Sequence, residues 1–274
     1  MFRILISLLI LVFSMNIVAA KTDKYTEDYL KNKKHFAVAN PFAENLVEKI
    51  IQKSLKKEAK GKFKVKFSAY TLASLKKGVF KSLDIRGRSL EIEKIPIPFL
   101  EIRSTTDYNW IDYNQKPIKF KSNMVFDYNI YLSEESVNQA LNHKEYQKTI
   151  LKINEIAYPL FTIHNVDIKI KKDLMYIIVE YSLPLSSSSK KKNFYVATDF
   201  NVENGKIKAK SVILDKHYKN LPIDKVTNLI NLLDPLSYTL KLIDTQNCNG
   251  KIENVKIKDD IIKINGRIFV KGEK

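Results

Sequence analysis

The sequence predicts an α+β protein with an elongated, curved antiparallel sheet that wraps something apolar, either a helix or a ligand. Three observations carry this. Ile118, Phe120, Met124, Phe126, Tyr128, Ile130 and Leu132 alternate with Lys119, Lys121, Asn123, Asp127 and Asn129, so an extended strand there has one apolar and one wet face. Only Ser122 and Val125 blur the pattern. At about 3.3 Å per residue such a strand runs ~45 Å, past the usual ~17–20 Å, and a strand that long suits a curved sheet wrapped around something apolar. Next, Phe42, Ala43, Leu46, Val47, Ile50, Ile51, Ser54 and Leu55 form one helical stripe. Finally, alternating runs recur through the rest of the chain between turn residues.

The N-terminus sets the expected compartment. Arg3 precedes the apolar run from Ile4 to Phe13, and Val18 and Ala20 are small residues at cleavage-site spacing, so residues 1–20 read as a secretory signal peptide. An uncleaved anchor is the competing reading. Ser7, Ser14 and Asn16 interrupt the run, which falls short of the roughly 20 apolar residues of a spanning helix. Cleavage after Ala20 would deliver the protein to the periplasm or the outer face of a membrane. Residues 21–38 are polar and basic and read as a tether. Residues 39–272 then form a single elongated domain. The lone Cys248 allows no internal disulfide in an exported chain and reads as an inert small side chain.

A net charge of +17 points to an anionic partner, which could be lipid headgroups, wall polymers or nucleic acid. Lysine is spread along every strand and Ala, Gly and Pro are sparse throughout, so part of the charge is a matter of overall composition. Export disfavours nucleic acid. An anionic membrane surface ranks first, with solubility close behind.

In chain order, Asn40 and Pro41 open the first helix, which runs to Gly61 with lysines flanking its stripe. It could lie on a membrane or cover a sheet, and core packing is favoured. Phe63, Val65, Phe67 and Ala69 give a strand, and Leu72 to Lys77 a helical turn closed by Gly78. Leu83 and Ile85 then hold one phase and Leu90 and Ile92 the other, a slip at Gly87 that reads as a bulge. Two prolines in Ile95-Pro96-Ile97-Pro98 predict an edge or rim segment. Extended structure resumes from Phe99 to Ile111, where Tyr108, Trp110 and Tyr113 gather at a core edge or an interface. Ser133 caps a helix bearing Val137, Ala140 and Leu141, and Tyr146 to Ile156 follows as another. Lys171-Lys172-Asp173, Asn204-Gly205 and Asp259-Asp260 turn three hairpins. Ser186 to Lys192 is an exposed loop tip, and Pro222 to Asp234 a helix.

This order of parts resembles the LmeA-like phospholipid-binding proteins of bacterial envelopes. The likeness runs from about Asn40 to Val270 and is best marked at Gly78 to Gly87, Ile95 to Leu100, Leu132 to Leu141 and Val255 to Gly266. The resemblance implies a shape related to tubular lipid-binding proteins, an elongated, strongly bent antiparallel sheet packed on long amphipathic helices with an apolar chamber between them, and phospholipid binding outside the cytoplasm. It names no catalytic set.

The residues themselves offer little chemistry. His35, His143, His164 and His217 are isolated, with no second His or Cys at metal-ligand spacing. No nucleophile elbow and no Gly-x-Gly phosphate loop is present. The expectation is a non-enzyme without metal or cofactor: an exported phospholipid-binding protein, anionic lipid favoured, in peripheral contact with a membrane and not with nucleic acid. Leu46, Ile50, Leu55, Phe120, Met124, Phe126 and Ile130 would line the chamber, and Arg86 and Arg88 would meet a headgroup. The alternative is a non-catalytic scaffold protein of the envelope whose same side chains fill a dry core.

Overall fold

The computed structural model describes residues 41–112, 119–184, 190–241 and 249–272. The expected signal peptide and tether, Asn40, Tyr113, Ile118, most of the serine-rich loop and Cys248 lie outside the described residues. The helices are α1 (Pro41–Glu58), α2 (Leu72–Lys76), α3 (Glu134–Leu141), α4 (Lys144–Ala157), α5 (Ile223–Leu233) and α6 (Pro235–Lys241). The strands of the first half are β1 (Lys60–Ser68), β2 (Val79–Phe80), β3 (Ser82–Ile92), β4 (Ile95–Ser104), β5 (Asn109–Asp112), β6 (Lys119–Phe120) and β7 (Met124–Leu132). Those of the second are β8 (Thr162–Lys171), β9 (Leu174–Ser182), β10 (Lys192–Glu203), β11 (Lys206–Leu214), β12 (Asn249–Lys258) and β13 (Ile261–Val270).

Strands pair into a six-stranded sheet ordered β1-β3-β4-β7-β13-β12, a four-stranded sheet β11-β10-β9-β8 and a small sheet β2-β5-β6, all antiparallel. This corrects the expected architecture. Strand makes up 50% of the described residues against 31% helix, and no set of long amphipathic helices spreads across one bent sheet to enclose a chamber. Of the six helices only α1 reaches 18 residues, and it borders β1 at the sheet edge. The long strand is also two strands. β6 joins the small sheet and β7 the centre of the large one, because Ser122 Oγ and Asn123 Oδ1 take the backbone amides of Trp110 and Gly272 and turn the chain between them.

Polar helix side chains explain where the helices sit. Glu48 and Glu44 of α1 accept the amides of Phe67 and Ala69 at the β1 edge. On β8, Asn138 and Glu134 of α3 accept the amides of Ile168 and Ile170, and Asn231 of α5 accepts that of Ala209 at the β11 edge. An edge strand leaves a row of amides without ladder partners, and covering it removes a template for unwanted pairing.

Local chemistry accounts for the joints. Thr71 and Ser133 each close a capping box with a serine three residues on. Tight turns at Glu93-Lys94, Lys172-Asp173, Asn204-Gly205 and Asp259-Asp260 have positive φ at both residues, the geometry that matches strand twist. The bulge in β3 falls at Ser89, with φ 49°, two residues beyond the expected Gly87. The Ile95-Pro98 segment opens β4 as a local edge, paired with β3 alone, and the strand becomes interior only from Phe99. Its prolines are tolerated because β4 pairs with β7 only from Phe99 onward, so no ladder donor is needed on that side.

The inner face of the six-stranded sheet carries Val65, Phe67, Leu83, Ile85, Ile102, Phe126, Ile130, Ile264 and Ile268, buried in one core with α1, α3, α4 and the inner face of the four-stranded sheet. The outer face is open and polar.

Candidate functional site

Met124, Phe126 and Ile130 project from the inner face of β7 and are fully buried. Phe126 lies between Ser104 and Ile268, and Ile130 between Leu100 and Ile264, on the flanking strands. Leu55 is buried in the same core, Ile50 and, from β6, Phe120 are half-buried against it, and Leu46 is 52% exposed. Arg86 and Arg88 are on the outer face of β3, since alternate residues of a strand point to opposite sides. The residues expected to line a chamber and those expected to meet a headgroup are therefore separated by the sheet, and Arg86 Nε is already held by Glu101 at 2.6 Å.

The largest concentration of outward apolar side chains lies elsewhere, at the α4–β8 junction. Helix α4 packs Tyr146, Ile150 and Ile153 inward and ends at Ala157. The chain then passes through Tyr158-Pro159-Leu160 before β8 begins. Ile156 is 87% exposed, Tyr158 69%, Leu160 68% and Leu151, one turn back, 60%. Such side chains belong inside a folded protein unless something else covers them.

This tip is held in shape. Asn154 donates its amide to Ile163 O at 2.8 Å and accepts Ile163 N at 2.7 Å, closing the base of the loop. Tyr158 N and Leu160 N donate to Asn154 O and Ala157 O. The backbone that carries Tyr158 and Leu160 is thus held by hydrogen bonds at the loop base.

Compared with known proteins, the chain matches no family model, no curated sequence and no solved structure.

Cations surround the tip. Lys148 and Lys152 are exposed on α4, two turns and one turn before Ile156. Thr162 pairs with Ser182, and Lys192 with Tyr181, so the start of β10 with exposed Lys190, Lys191 and Lys192 lies about 10 Å away, two strand spacings. Lys191 is paired with Glu180 at 2.9 Å and Lys148 with Glu145 at 2.6 Å, which holds the Glu145 carboxyl below its usual range. Glu155 is the acidic group within the tip. Tyr218 joins the same end: its hydroxyl donates to Asn193 O at 3.2 Å and shares a hydrogen bond with Tyr181 at 3.3 Å. That bond, and secondarily partial burial, pushes Tyr218 up to about 12. One turn on, Leu221 and Ile223 are exposed as well.

Among the described residues no group of three or more His, Cys, Asp or Glu is placed to hold a metal ion, and no helix is long and apolar enough to cross a membrane. His143 caps α4 through Nδ1, and His164 Nε2 meets Ser182 Oγ at 2.8 Å. Sequence reasoning passed over the tip. Its signal was present as Ile156, Tyr158, Leu160 and Phe161 gathered around Pro159, an apolar run that keeps neither helical nor strand period.

Proposed function

We propose that this chain is an exported, non-catalytic protein that binds anionic phospholipid surfaces through the α4–β8 tip. The observation that carries the reading is the trio Ile156, Tyr158 and Leu160, exposed together on a loop whose base is closed by the Asn154–Ile163 pair. Each such side chain contributes roughly 1.5–3 kcal/mol when fully buried in apolar surroundings. The lysines at the same end add attraction to a negative surface, and each is worth on the order of 1 kcal/mol close to it. Export through residues 1–20, with a mature N-terminus at Lys21, is part of the proposal. The segment order shared with phospholipid-binding envelope proteins agrees with it.

Lipid is met here at the surface. The enclosed chamber belonged to an architecture that the fold replaces, and Met124, Phe126 and Ile130 pack against protein. That filled core favours a second reading, a scaffold protein with no lipid ligand.

Flotation of the purified protein with vesicles of phosphatidylglycerol and phosphatidylcholine separates the two. Binding is expected, weakened by salt, and reduced at least tenfold by Leu160→Asp, since a buried charge forfeits more than the ~1.4 kcal/mol that tenfold represents. A Tyr158→Trp variant should show blue-shifted emission on adding these vesicles. Unshifted emission together with flotation indifferent to Leu160→Asp would remove the lipid reading and leave the scaffold.

A further inference from the structure

The outer face of the six-stranded sheet is arranged in rows that run across all six strands. One row reads Lys66, Asp84, Arg103, Asp127, Arg267 and Lys251. Its charges largely satisfy one another: Arg103 meets Asp84 at 3.6 Å, and Arg267 meets Asp127 at 3.1 Å and Glu253 at 3.5 Å. The next row reads Lys64, Arg86, Glu101, Asn129, Asn265 and Asn254. Asn129 donates weakly to Glu101 at 3.3 Å, and three side-chain amides thus stand side by side on an accessible surface.

The third row differs in kind. It reads Lys62, Arg88, Phe99, Tyr131, Lys263 and Lys256. Two rings in contact, 4.8 Å between centroids, occupy its middle, with two cations on either side. Lys263 sits over the Tyr131 ring at 5.6 Å and reaches Asp259 at 3.8 Å. Among the described residues Lys62, Arg88 and Lys256 have no carboxylate within ion-pair distance. Phe99, Tyr131, Asn129 and Asn265 are all half-buried, so rings and amides have defined positions. Five strand spacings make the row about 24 Å long.

We propose that this face binds an acidic polysaccharide chain laid across the strands. Cations flanking the row suit carboxylates or other anionic groups repeated along a polymer. The amide row suits a ligand dense in hydroxyl groups, because each amide both donates and accepts. The aromatic pair offers an apolar platform between them. Single-stranded nucleic acid also uses cations and aromatics, but it is held by rings free to stack with successive bases. Here Phe99 and Tyr131 pack on each other at 43°, and at the position beside them the neighbouring row presents the Glu101 carboxylate and the Asn129 amide, with its cations Lys64 and Arg86 confined to the β1–β3 end. This inference concerns the six-stranded sheet and is independent of the lipid tip.

Calorimetry of the purified protein with a hexamer of polyguluronate, with maltohexaose as neutral control and a hexathymidylate as nucleic-acid control, tests it. The acidic hexasaccharide is expected to bind saturably, and the neutral one much more weakly. Asn265→Ala leaves the charge unchanged and is expected to weaken binding about fivefold to tenfold, the loss of one hydrogen bond. Lys256→Gln, an exposed change with little risk to folding, is expected to do the same and to flatten the salt dependence. Binding of the hexasaccharide that neither variant alters would mean general attraction to a basic protein and would overturn the proposal. So would tighter binding of the hexathymidylate, or no binding of the hexasaccharide.

Discussion

The carboxylate of Glu48 on α1 accepts the backbone N–H of Phe67 on β1 at 2.9 Å, where a neighbouring strand would otherwise have supplied a carbonyl. The same substitution of side chain for strand recurs with Asn138 on Ile168 and Asn231 on Ala209. Helices thus complete the sheet edges through single polar atoms while their apolar sides enter the core.

Removing that acceptor strands a partly buried donor. Glu48→Ala is expected to lower stability by about 1–3 kcal/mol, and Glu48→Gln, which keeps an acceptor oxygen, by less than half as much. Urea unfolding of the three proteins measures this. Equal midpoints would mean that water serves the Phe67 amide as well as the carboxylate does.

Phe126 decides between a filled core and an open cavity. It is fully buried between Ser104 and Ile268, so Phe126→Ala is expected to cost about 3–5 kcal/mol through lost burial and a residual void. Phe126→Trp overfills the site and should cost about 1–3 kcal/mol. A wild-type midpoint for Phe126→Trp would speak for unoccupied space beside β7.

Tyr218 gives an alkaline signature. Its hydrogen bond with Tyr181 holds the proton in the folded state up to about 12, against 10.0 for an unperturbed tyrosine. Because the folded value is the raised one, this contribution is whole below pH 10 and is lost as pH climbs toward 12. Tyr218→Phe should therefore lose stability less steeply across that window than the wild type. In Tyr181→Phe, tyrosinate absorbance should show Tyr218 titrating nearer 10, and an unchanged titration would assign the shift to burial.

Much of this molecule is written in local pattern. The alternation of Met124, Phe126, Tyr128, Ile130 and Leu132 determined a strand with one buried face, and Asn204-Gly205 and Asp259-Asp260 determined two-residue turns, because side-chain period and backbone sterics act over a few residues. Ser133 likewise determined a helix start by offering an oxygen to the third amide on. Tertiary structure decided what each face meets. Periodicity reports that Phe126 is buried but not whether lipid or Ile268 buries it. The break at Ser122 and the placing of α1 along an edge depend on Trp110 and Phe67, partners outside the local pattern. The candidate sites fall on the same side of that division. Ile156, Tyr158 and Leu160 are ordinary core residues by composition, and only the packing of α4 through Tyr146, Ile150 and Ile153 and the path of the following loop leave them outside. Phe99 and Tyr131 are 32 positions apart and become one platform only because β4 and β7 pair in register, a choice made by the burial of Leu100 and Ile130 on the opposite face.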